Sequence, residues 1–161
     1  MKKLLTLFCF SLILVVKTVH VQAQAKSAIG LGPALNASKN GQGFGGVLMA
    51  EIKVAKAFSV EPSIGVEIPY TAYLGLAGKY YFADRIHANL GALLHIGGED
   101  ASDSGIGGTI GIGRELMVSR RHVLDLNLHG DVIKMDGNAA PVVGLRLTYQ
   151  FCFGKGRAGK E

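Results

Sequence analysis

From residue 27 onward the chain alternates apolar and polar residues with a period of two, in segments of about ten residues set apart by turn-forming residues. Eight segments can be marked: Ser27–Asn36, Phe44–Val54, Ala57–Ile68, Thr71–Phe82, Arg85–Ile96, Gly105–Leu116, Arg121–Ile133 and Pro141–Phe153. The seventh sets Leu124, Leu126, Leu128 and Val132 against Asp125, Asn127, His129 and Asp131. The fifth sets Ile86, Ala88, Leu90, Ala92 and Leu94 against Arg85, His87, Asn89 and His95. Phe58, Val60, Ile64, Val66 and Ile68 oppose Ser59, Glu61, Ser63 and Glu67 in the third, and Val143, Leu145, Leu147, Tyr149 and Phe151 oppose Gly144, Arg146, Thr148 and Gln150 in the eighth. Because successive side chains on a strand point to opposite faces, each segment is predicted to be a strand with one apolar and one polar face. Their length matches the roughly 9–11 residues of a bilayer-spanning strand.

The connections differ in character. Ala55-Lys56, Ala83-Asp84 and Val118-Ser119-Arg120 are tight, whereas Ala37 to Gly43, Gly97 to Ser104 and Lys134 to Ala140 are longer and polar. Only the connection near Pro69-Tyr70 departs from this scheme by being short. Tight turns at one end and longer loops at the other predict a transmembrane barrel with both termini on the periplasmic side.

Alternation alone does not say which face looks outward, and a soluble barrel carrying an apolar ligand is the alternative. Three features favour the apolar face outward. The polar face is diluted with Gly, Ala, Ser and Thr, and its charges are mixed in sign (Glu51, Glu61, Glu67, Lys79, Arg85, Glu115, Asp125, Asp131, Arg146), as suits pairing inside a narrow barrel. Aromatics gather at segment ends: Phe58, Tyr80, Tyr81, Phe82, Tyr149, Phe151 and Phe153 at one end, Phe44, Tyr70 and Tyr73 at the other. Two aromatic girdles around an aliphatic band belong to a lipid-facing surface. Finally, Arg114 is the one charge on the apolar face, near the tight-turn end where its stem can snorkel.

The N-terminus reads differently. Lys2 and Lys3 precede an apolar run from Leu4 to Val16, then Lys17 and Val21-Gln22-Ala23, the layout of a secretory signal with cleavage expected after Ala23, or second after Ala25. The run is too short for a membrane span, which needs about 20 apolar residues. Residues 1–23 are therefore expected to be a signal peptide, 24–153 an outer-membrane barrel domain and 154–161 a basic tail. Cys9 falls within the signal, behind Thr6-Leu7-Phe8, which does not suit a lipoprotein signal. Cys152 is then the lone mature cysteine, so no internal disulfide is expected. Of the net charge of +5, Lys2, Lys3 and Lys17 leave with the signal, and the tail supplies Lys155, Arg157, Lys160 and Glu161. The body between is close to neutral, which argues against a nucleic-acid partner.

Candidate chemistry is sparse. Gly41-Gln42-Gly43-Phe44-Gly45-Gly46 matches G-x-G-x-x-G, but a dinucleotide fingerprint must follow a strand and open a helix, and here it is expected to be a flexible hairpin loop. The glycines from Gly105 to Gly113 are expected to ease curvature and close backbone approach. His129 shares a face with Asp125 and Asp131, and His87 and His95 share another, about 27 Å apart and so unable to hold one metal. Acyl transfer needs a nucleophile within reach of a histidine and an orienting carboxylate, and no local motif ties Ser59 or Ser63 to one. The expectation is an interior hydrogen-bonded network with no catalytic, cofactor-binding or metal-binding residues. A lipid-modifying enzyme using His129, Asp131 and Ser63 is kept as an alternative. Asn36-Ala37-Ser38 is a glycosylation sequon only in a eukaryotic host.

Tyr73-Leu74-Gly75-Leu76-Ala77-Gly78-Lys79-Tyr80-Tyr81-Phe82 and Gly144-Leu145-Arg146-Leu147-Thr148-Tyr149-Gln150-Phe151 resemble strands of the small outer-membrane β-barrel superfamily. This group includes the OmpA/OmpX-type barrels and the Bacteroidetes outer membrane protein β-barrel domain or porin-family proteins. The resemblance implies an all-β, eight-stranded antiparallel up-and-down barrel in a bacterial outer membrane, without a cofactor. It also implies a monomer in contact with outer-membrane lipid, delivered by periplasmic chaperones and the barrel-assembly machinery. Members of the group usually end on an aromatic residue, whereas eight residues follow Phe153 here. A conducting pore is not expected, because eight strands enclose only enough room for side chains.

Overall fold

The computed structural model describes residues 26–39, 41–68, 71–97, 104–135 and 138–153. Eight strands run in order: β1 Ser27–Ser38, β2 Gly41–Lys53, β3 Phe58–Ile68, β4 Thr71–Ala83, β5 Ile86–Gly97, β6 Gly105–Met117, β7 His122–Met135 and β8 Asn138–Phe153. Each pairs antiparallel with its sequence neighbours, and β1 closes on β8 through pairs such as Ile29↔Phe151 and Leu35↔Leu145. Closure leaves no unpaired edge, which is the condition for placing strand backbone in a medium that offers no hydrogen bonds.

The strands reach further than the alternation predicted. Ala37 pairs with Gln42 and Ser38 with Gly41, so the first connection shrinks to residues 39–40. Lys134 pairs with Ala139 and Met135 with Asn138, reducing the seventh to residues 136–137. Two of the three expected long loops are thus strand, and the segment Gly41–Gly46 is ladder rather than flexible loop. The physical reason is that ladder bonding continues beyond the apolar band, where outward positions no longer need apolar side chains. Only the β5–β6 connection, residues 98–104, stays long at this end. At the other end, where both chain ends emerge from the barrel, residues 54–57, 84–85 and 118–121 make the turns. Arg85 takes a left-handed φ of 58°, which lets the chain reverse at Asp84-Arg85.

The two faces of the wall sort with the apolar one outside. Leu31, Leu90 and Ile110 are 64%, 69% and 63% exposed, while Glu51, Lys79, His87 and Gln150 are fully buried. Ten residue steps at about 3.3 Å and a tilt of about 40° give the outer band a height of about 25 Å, the height of a lipid-facing barrel belt. Inward glycines on β6 make the interior possible. A Cβ at Gly107 would meet His95 Nε2 at 2.7 Å, and one at Gly113 would meet His87 Nε2 at 2.6 Å. The imidazoles of β5 therefore lie across bare β6 backbone, giving the glycine run a steric role.

Candidate functional site

The half of the interior nearest the termini is built around one lysine. Lys79, pointing inward from β4, is entirely shielded from solvent. Its Nζ lies 2.7 Å from Asp125 Oδ2 on β7 and 3.1 Å from Glu51 Oε2 on β2. Glu61 on β3 and Glu115 on β6 stand further off, at 3.6 and 3.7 Å. The Tyr81 hydroxyl lies 2.7 Å from Glu51 Oε1 and 2.6 Å from Glu115 Oε1, so one phenol proton serves two carboxyl groups. Ser59 donates to Glu51 at 2.8 Å, Gln150 Nε2 donates to Asp125 at 3.2 Å, and His87 Nε2 sits 2.9 Å from Asp125 Oδ1. Lys26, just ahead of β1, reaches in to ion-pair with Glu115 at 2.7 Å. A charge removed from water is tolerable only when paired and hydrogen-bonded in this manner.

His87, Glu115 and Asp125 bring ligand atoms within 4.8 Å of one another, a spacing that would suit a metal ion. The ammonium of Lys79 already holds that position, in contact with Asp125 and beside Glu115. A divalent cation there would face an unscreened positive charge, so the cluster reads as an ion-paired network.

The other half is more loosely joined. His129 Nε2 and Asp131 Oδ2 are 3.6 Å apart, and Arg146 Nη2 is 3.8 Å from the same oxygen. Buried polar atoms of Asn36 and His95 have no hydrogen-bond partner. Contacts of this length in a polar interior are the kind that water bridges. Between the halves lies a cavity of about 10 Å³, bordered by Glu61, Asp125, Asn127, Arg146 and Thr148, close to the volume of one water.

The residues weighed for catalysis do not come together. His129 and Asp131 are neighbours, but among the described residues no hydrogen bond joins Ser63 to either, and its hydroxyl lies beside Gly75 of β4. Ser59 is hydrogen-bonded to Glu51 rather than to a histidine. Among the described residues no serine, histidine and carboxylate are joined in series. His87 and His95 lie in different halves, as their spacing implied. Cys152 is a free, half-buried thiol on the inward face. The girdles also need correction: Tyr73 and Tyr81 are buried, at 1% exposure each, and point into the barrel with Lys79. Phe44, Phe58, Tyr80, Phe82, Tyr149 and Phe153 remain outside.

No family model and no curated protein matches the chain. Solved structures do. Neisserial surface protein A (NspA) aligns with a TM-score of 0.57 at 17% identity, over 79% of this chain and 96% of its own. The N-terminal β-barrel domain of Pseudomonas aeruginosa OprF gives 0.53 at 13% identity, over 80% and 100%. A de novo designed transmembrane β-barrel gives 0.53 at 14% identity, over 81% and 98%. The fold is that of the small transmembrane β-barrels. At these identities the likeness concerns architecture, and it agrees with a chain whose apolar side chains face out from a closed wall.

Proposed function

We propose that this protein is a non-enzymatic outer-membrane β-barrel of the OmpA/OmpX type, with a structural or surface-interaction role in a bacterial outer membrane. The observation that carries the reading is the reversal of the usual globular order: an aliphatic belt outside and a cluster of two lysines, Lys79 and Lys26, with four carboxylates inside. Water would make that belt a large sticky surface, whereas lipid is its natural solvent. The interior suits neither of two neighbouring functions. A carrier of an apolar ligand would need an apolar lumen, and a pore would need open cross-section where Lys79, Tyr81 and Arg146 stand. Lipid is the partner of the wall, the periplasmic chaperones and assembly machinery are partners during biogenesis, and a monomer accounts for the continuous belt.

Fractionation of cells expressing the full-length chain, followed by electrophoresis with and without boiling, tests this. Recovery in the outer membrane with a heat-modifiable band is the expected result. Recovery in the soluble fraction without detergent would overturn the reading.

A further inference from the structure

The near-neutral body of the chain conceals a strong polarity along the barrel axis. At the rim where β1 begins and β8 ends, Lys53, Lys56, Arg85, Arg114, Arg120 and Arg121 are exposed, against a single exposed carboxylate among the described residues, Asp84. Among the described residues none of the six has an acidic partner within 4.0 Å. They go all the way round: Lys53 and Lys56 at the β2–β3 turn, Arg85 at β4–β5, Arg120 and Arg121 at β6–β7. The carboxylates that balance them are elsewhere, many inside the barrel around Lys79. Others lie in the sequence of the opposite connections, at Glu99, Asp100, Asp103 and Asp136.

We infer that this basic collar binds the anionic headgroups of the phospholipid leaflet at the terminal end of the barrel, selecting anionic over zwitterionic lipid. The inference rests on the membrane reading above. Arg114 shows why the occupant is a lipid rather than a soluble polyanion. It stands on the outer wall between Ile112 and Leu116, 50% and 49% exposed, with Ile86 and Leu126 as its ladder partners. A guanidinium rising from such surroundings has its stem in the acyl region and its head at phosphate depth. Tyr80, Phe82, Tyr149 and Phe153 occupy the same end of the outer wall, the residues that favour a headgroup boundary. A soluble polyanion would meet the turn cations but not Arg114. Cations near a charged leaflet attract it individually, and a ring lets many lipids be held at once.

The test refolds the full mature chain into phosphatidylcholine vesicles with and without one-fifth phosphatidylglycerol, scores insertion by heat-modifiability, then extracts the protein in non-ionic detergent and measures co-purifying lipid. Wild type should insert and retain phosphatidylglycerol at least about threefold above its bulk share, falling toward bulk in high salt. The combined variant Lys53→Gln, Lys56→Gln, Arg85→Gln, Arg114→Gln, Arg120→Gln and Arg121→Gln should insert yet lose the enrichment. Should it fail to insert, Arg114→Gln alone and the turn variant Lys53→Gln/Lys56→Gln/Arg85→Gln should each lose part of it. Retention at the bulk ratio by wild type, or unchanged enrichment in inserted variants, would overturn the inference. So would capture of soluble dextran sulfate without phosphatidylglycerol enrichment, which assigns the collar to a soluble polyanion. Wild type that inserts in neither vesicle overturns the membrane reading itself, a different failure.

Discussion

Replacing Lys79 by methionine keeps most of the side-chain volume and removes only the ammonium. Glu51, Glu61 and Asp125 then face one another without a lysine, while Glu115 keeps Lys26. With the ammonium go its charged hydrogen bonds to Asp125 at 2.7 Å and to Glu51 at 3.1 Å. Hydrogen bonds to charged groups are worth roughly 1.5–3 kcal/mol each, which sets a scale of about 3–6 kcal/mol. Breaking a buried pair by deleting one partner costs about 3–5 kcal/mol by experience with other proteins, and the two ranges agree. Since folded domains are stable by only about 5–15 kcal/mol, the loss is a large share of the total. The assay is urea unfolding of the inserted barrel, read as the fraction of heat-modifiable band, with the slope checked for constancy. Adding Glu51→Gln and Asp125→Asn to Lys79→Met should recover about half of the loss, because the stranded charges are removed with their partner. A cost below about 1 kcal/mol for Lys79→Met would refute the reasoning, since it would mean that water already solvates the carboxylates.

Further outcomes follow from the contrast between halves and faces. His87→Leu removes the 2.9 Å contact to Asp125 and should cost about 1.5–3 kcal/mol, whereas His95→Leu, of similar volume and without a hydrogen bond to lose, should stay within about 1 kcal/mol in the same urea assay. Gly144→Val would drive a Cβ into Asn36 Oδ1 and His129 Nε2, so a loss of about 1–3 kcal/mol is expected, with a smaller loss for Gly46→Ala, whose Cβ would make only an ordinary contact with Gly32 O at 3.7 Å. Leu128→Arg, on the outer wall halfway along β7, should cost about 2–4 kcal/mol in a bilayer, while Ile106→Arg near the loop rim should cost about 0–1 kcal/mol. Equal costs for those two would contradict the depth assigned to the belt.

How much of this could be read from residues alone depended on whether the signal was local. The faces of β5, β7 and β8 follow from period two, and Leu90, Leu128 and Leu145 are outside as that period requires. The inward turn of Tyr73 and Tyr81 was equally available, because both share the parity of Lys79, but their places at strand ends drew them into the aromatic girdles. The outer reach of β1, β2, β7 and β8 was hidden by composition: Ser38, Gly41, Gly43 and Asn138 read as loop, although the ladder runs through them. The network around Lys79 was legible as a set of inward charges and no further. Which carboxylate meets which base depends on the register among β2, β4, β6 and β7, and pairs such as Lys79 and Asp125 join residues 46 apart in the chain. The basic collar escaped a summed charge, because neutrality in total says nothing about distribution along an axis that only closure of the barrel defines.

Two features then bear jointly on where recognition sits. Three of the four connections at the loop rim, 39–40, 69–70 and 136–137, span two residues each. The one longer connection at that rim, 98–104, carries Glu99, Asp100 and Asp103 in its sequence. The opposite rim carries the exposed cations Lys53, Lys56, Arg85, Arg114, Arg120 and Arg121. On the function proposed above, recognition is then divided between an acidic segment at one rim and the basic collar at the other, with the interior charge cluster joining the strands that carry them.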